Sequence, residues 1–100
     1  MASPYSIAIW AARKLHEQGR HASKWYAGIT DHPPARLFDE HGVDEHRDLW
    51  AWVQCTSADV AREAERFLLA AGYQGGPGGG HDGSVFVYVY RITPDTCETC

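Results

Sequence analysis

The residues that offer chemistry lie mainly in "KWYAGITDHPPARLFDEH", residues 24 to 41. An aromatic stretch with Tyr26 stops at Gly28, a turn follows with Thr30 and Asp31, and Arg36 stands one turn past Pro33 and Pro34. An arginine so placed suits a phosphate, because its planar fork matches two oxygens at once. The plainer readings are a solvent arginine and an amphipathic strand tyrosine. Elsewhere, Cys97 and Cys100 make half of a zinc site, but a tetrahedral site needs four ligands and nothing in the sequence brings others near. His41 and His46 frame "GVDE" at a spacing open to a metal, yet the segment reads as a helix end and acidic loop, so exposed histidines are expected. The glycine-rich stretch lacks the Gly-Lys-Ser/Thr ending of a phosphate loop and precedes a strand instead of a helix.

Composition bounds what can position these groups. One hundred residues, 44% hydrophobic and 22% charged, fit a single domain with one modest core, over residues 1–93 with a tail at 94–100. No apolar run approaches the ~20 residues of a membrane helix, and "SIAIWAA" lacks the basic region that precedes the apolar part of a secretory signal. Three cysteines do not suggest a disulfide framework, and the expected compartment is the cytoplasm. The net charge of −4 is unevenly spread: residues 1–36 carry five basic and two acidic side chains, the remainder four basic and eleven acidic. A nucleic-acid backbone would therefore meet the first third, through Arg20, Lys24 and Arg36. The simpler reading of that excess is a solvated helix face.

The chain alternates helical and strand patterns. Ser3-Pro4 and Gly19 bracket an expected helix over residues 4–18, although Tyr5, Ile7 and Ile9 also alternate like a strand. "KWYAGIT" predicts a strand, and Asp31 is expected to cap a helix ending at Gly42. "LWAWVQC" alternates as a second strand. Thr56 or Ser57 then caps a helix with the stripe Val60, Ala61, Ala64, Phe67, Leu68 and Ala71, closed by Gly72. Glu63 and Glu65 fall on opposite edges of that stripe. Residues 74–84 form a flexible glycine loop, and "VFVYVYRI" is the third strand. The expected fold is α+β: a small three-stranded, mainly antiparallel sheet with about three helices.

Tyr26-x-Gly28, Thr30 in the turn, Arg36 eight residues past Gly28, and a later helix with Glu65 followed by Leu68 and Leu69 resemble the GIY-YIG nuclease superfamily over residues 24–71. In that family another strand, carrying a second tyrosine, precedes the Tyr-x-Gly strand and lies antiparallel beside it. Here "VYVYRI" near the C-terminus has the character to take that place through a circular permutation, which makes Tyr90 the counterpart. The C-terminal strand must then pair antiparallel with residues 24–30, setting Tyr90 beside Tyr26, with Tyr88 on the same face and Arg36 and Glu65 expected to reach over it and border one shallow cleft.

The resemblance implies phosphodiester hydrolysis on DNA. Such a reaction needs a metal to neutralise the phosphate, a group to orient or deprotonate water, and a cation for developing charge. By resemblance, Glu65 holds Mg²⁺, Tyr26 and Tyr90 act on water, and Arg36 binds the phosphate, with Lys24, Arg20, Gly28 and Thr30 lining the substrate. The alternative implied by the same fold is a catalytically inactive module that binds nucleic acid or a protein partner through its sheet and exposed tryptophans.

Overall fold

The structure is a computed structural model and describes residues 22–75 and 83–98. The expected helix over residues 4–18, most of the glycine loop and Arg20 lie outside the described residues. A short 3₁₀ turn, Ala22–Lys24, leads into β1 (Trp25–Thr30). A π-helix, Ala35–Glu40, precedes β2 (Trp50–Gln54); α1 (Ala58–Ala70) and β3 (Phe86–Arg91) follow. Among the described residues there are thus one α-helix and one π-helix, where about three helices were expected.

The three strands form one antiparallel sheet in the order β1-β3-β2. β3 is central because it can be buried on both faces: Val87, Tyr88, Val89 and Tyr90 all have zero exposure. Its register sets Tyr26 opposite Tyr90 and Gly28 opposite Tyr88 on one side, with Trp50 opposite Tyr90 and Trp52 opposite Tyr88 on the other. β1 and β2 are therefore parallel to each other. Beyond α1 the chain returns as a single parallel bridge on the outer edge of β1, where Gln74 exchanges 2.8 Å hydrogen bonds with Trp25 O and Ala27 N.

Strand alternation divides the interior in two. Trp25, Ala27, Ile29, Val87 and Val89 pack against Ala61, Ala64 and Leu68 of α1. Tyr26, Tyr88 and Tyr90 pack with Leu37 and Val43 on the opposite face, flanked by Phe38, Trp50, Trp52 and Ile92. α1 has clear ends. Ser57 Oγ accepts the Val60 N–H at 3.2 Å, and the Tyr73 and Gly72 amides return to Leu68 O and Leu69 O, with Gly72 left-handed at φ 107°.

The turn after β1 differs from expectation. Thr30 Oγ1 accepts the His32 N–H, and the π-helix has no side-chain cap at its start, where Asp31 was expected to serve. The segment read as a tail is described as far as Glu98 and folds back on the tyrosine face: Cys97 N donates to His41 O at 2.7 Å, and Thr96 N closes a turn on Thr93 O at 3.2 Å. Trp50 and Trp52, expected to be exposed, are half-buried and stacked on each other at 5.1 Å, with Phe38 edge-on to both.

Candidate functional site

Arg36 reaches the tyrosine face because the helix carrying it leaves the end of β1. Its Nε donates to Tyr88 Oη at 3.3 Å, and Nη1 pairs with Glu40 at 2.7 Å one turn along. Tyr88 lies across the backbone of its strand partner Gly28. A Cβ on Gly28 would stand 2.6 Å from Tyr88 Cζ and closer still to Oη, so only glycine leaves this path open. Tyr26 stacks between the two β3 tyrosines, at 6.4 Å from Tyr88 and 5.3 Å from Tyr90.

Behind these groups sits His41, fully buried where an exposed histidine was expected. The π-turn explains its placement. Its amide bonds to Arg36 O, five residues back, which brings residue 41 under residue 36; on an α-helix the two would stand about 140° apart. His41 Nε2 lies 2.9 Å from Tyr88 Oη, and Nδ1 lies 2.6 Å from Cys97 O and 3.1 Å from Tyr90 Oη. A carbonyl only accepts, so Nδ1 carries the proton and Nε2 accepts the Tyr88 O–H. Tyr90 in turn donates to Glu98 Oε2 at 2.9 Å.

Burial and neighbours set the protonation of this cluster. Burial pushes Tyr88 up to about 12, with Arg36 pulling the other way. Tyr90 is driven well above the ordinary phenol range by burial and by its bond to Glu98. His41 is lowered, first by burial and then by the Arg36 charge, with Cys97 O, Glu98 and Glu40 opposing. At neutral pH the imidazole is therefore neutral and both phenols keep their protons.

Glu65 belongs to the helix on the other face of the sheet, yet it faces the same edge. Leu69 Cδ2 and Ala27 O both lie within 3 Å of the point where a Gly75 Cβ would stand, so Leu69 borders the outer edge of β1. Glu65 is four residues earlier in the same helical row. Because α1 runs against β1, that earlier turn stands toward Gly28 and Thr30. The carboxylate is near enough to raise Tyr88, and burial in turn raises Glu65 above the ordinary carboxylate range, with Arg62 pulling it down. Its Oε2 is buried and has no hydrogen-bond partner.

No family model, curated protein or solved structure matches the chain.

Of the residues singled out by sequence, Tyr26, Gly28, Thr30, Arg36 and Tyr90 share one face, with Glu65 at its edge. Tyr90 has zero exposure, as Tyr88 does, and its hydroxyl is bonded to His41 and Glu98. Lys24 is exposed at the far end of β1, about 13 Å along the strand from Gly28, and does not join the cluster. Tyr88, His41 and Glu98 went unassigned. Tyr88 was readable as a face-mate of Tyr90 by strand period, whereas His41 depends on a π-turn that no local pattern announces.

Among the described residues no group of three or more His, Cys, Asp or Glu gathers. Cys97 is disulfide-bonded, which removes it as a thiolate ligand, and Cys55 is a buried free thiol. No described helix is long and apolar enough to cross a membrane. Glu65 is the residue that the resemblance assigns to a hard cation. The orphaned Oε2 fits that part, since Mg²⁺ is commonly held by one or two carboxylates and completed by water and phosphate oxygens.

Proposed function

We propose that this chain is a circularly permuted, GIY-YIG-like domain that hydrolyses phosphodiesters of DNA in a metal-dependent reaction. The observation that supports it most is the β1–β3 register. Tyr26 opposes Tyr90, and the next residue on that face, Tyr88, takes the Arg36 hydrogen bond over Gly28.

Tyr88, which bonds Arg36 where Tyr90 bonds Glu98, is the tyrosine assigned to act beside Tyr26. Its oxygen accepts from Arg36 and its proton points to His41, which fixes the hydroxyl and leaves a lone pair for water. Arg36 meets the phosphate. Its exposed pair with Glu40 contributes little stability, so a phosphate can take the place of that carboxylate and present two oxygens to the same fork. Glu65 would hold Mg²⁺, which when bound neutralises phosphate charge and stabilises the leaving oxygen.

A second reading has its own support. Tyr88 and Tyr90 have zero exposure and Arg36 is already paired, which suits an inactive module that binds DNA or a protein partner. Incubation with branched, single-stranded and duplex DNA separates the two. The nuclease reading expects cleavage in Mg²⁺, none in chelator, and loss of cleavage in Glu65→Gln with an unchanged circular dichroism spectrum. Binding that weakens with salt, without cleavage, supports the inactive module; full cleavage by Glu65→Gln removes Glu65 from the site.

A further inference from the structure

We infer that His41 is a positioning residue that takes the Tyr88 hydroxyl proton during the reaction, and that the C-terminal segment Thr93–Glu98 sets the tautomer that allows it. The inference rests on the hydrolytic reading above. Each hydrogen bond in the cluster has one consistent direction. Arg36 Nε can only donate to Tyr88 Oη, so the Tyr88 proton must go elsewhere; Cys97 O can only accept, so His41 Nδ1 donates to it and Nε2 is left as the acceptor 2.9 Å from Tyr88. Glu98 takes the Tyr90 proton, with Thr96 Oγ1 donating to the same oxygen at 2.7 Å, and so prevents Tyr90 from donating to the ring.

The charged and titratable groups facing His41 come from every side. Arg36 and Glu40 lie on the π-helix, Tyr26 on β1, Tyr88 and Tyr90 on β3, and Glu98 on the C-terminal segment. Burial and Arg36 keep the ring neutral at rest, so it is ready to accept.

In the step itself, water gives a proton to Tyr88 Oη as the Tyr88 proton passes to His41 Nε2. The water oxygen forms the new bond to phosphorus while the bond to the leaving oxygen breaks. Solvent supplies the leaving oxygen with the proton that the imidazolium later returns to solvent.

Two measurements on the full chain test this. Nitrogen chemical shifts of the His41 ring at neutral pH should show Nδ1 protonated and Nε2 bare; a ring protonated at Nε2 overturns the inference whatever the fate of the nuclease reading. In Mg²⁺-dependent DNA cleavage, His41→Gln should lower kcat by about 100-fold with KM unchanged and remove the acid limb of the pH profile. That limb should lie below the ordinary histidine value of 6.5, because the neutral ring is the active form and its folded value is lowered. Tyr88→Phe should lose as much as the double variant Tyr88→Phe/His41→Gln. An unchanged acid limb, or additive losses, contradicts the relay. If wild type cleaves and Glu65→Gln does not, the hydrolytic reading stands even where the relay fails; if wild type cleaves nothing, both fall.

Discussion

Tyr88 and Tyr90 sit two residues apart on one face of one strand, but their hydroxyls serve different partners. Tyr88 joins Arg36 to His41, while Tyr90 joins His41 to Glu98. Tyr90→Phe should therefore act on stability. Glu98 keeps its Thr96 bond, and we expect a loss of about 1–2 kcal/mol by urea denaturation with cleavage retained. Tyr88→Phe should instead abolish cleavage; the reverse pattern would restore Tyr90 to the reacting group. Glu65 gives a second expectation at this scale. Its folded value is raised above the unfolded 4.5, so the folded state binds more protons between the two. Its contribution is complete below 4.5 and is lost as pH rises through the folded value. Glu65→Gln should be as stable as wild type or more so at neutral pH, by under about 1 kcal/mol, and should shed that pH dependence in thermal melts. A large loss of stability would make Glu65 a structural residue.

At the scale of elements, the closest fit is β1 against β3. Gly28→Ala would drive a methyl into Tyr88, whose hydroxyl is held by both Arg36 and His41. We expect about 1–3 kcal/mol of destabilisation in denaturant titration, together with loss of cleavage; a neutral Gly28→Ala would mean that Tyr88 does not lie across the strand. How far sequence could anticipate these elements follows their physics. α1 was readable at both ends, since Ser57, the apolar stripe and Gly72 are local signals. The β1–β3 register followed from alternation once the C-terminal strand was set beside residues 24–30. The π-helix was not readable: no local pattern announces its widened turn, which goes with Leu37 and His41 both lying buried. The fold-back of Thr93–Glu98 was hidden likewise, because its bonds run to His41 and Tyr90, distant in sequence.

For the whole molecule, two layers share one sheet, and the site needs a side chain from each. Arg36 and Tyr88 belong to the tyrosine layer; Glu65 arrives from the α1 layer around the outer edge of β1. Charge does not help this arrangement, since residues 37–100 carry eleven acidic side chains against four basic ones and Lys24 stands apart. In the proposed reaction Arg36 and a cation at Glu65 would therefore have to hold the phosphate. The most direct measurement is paramagnetic mapping with Mn²⁺, which shares the octahedral oxygen preference of Mg²⁺. The account predicts that Mn²⁺ broadens the NMR signals of Gly28, Tyr88 and the Arg36 side chain together with those around Glu65, and that Glu65→Gln abolishes all of it. Broadening confined to the acidic connector Asp44–Asp48, or signals near Glu65 that broaden while Gly28 and Tyr88 stay sharp, would contradict it.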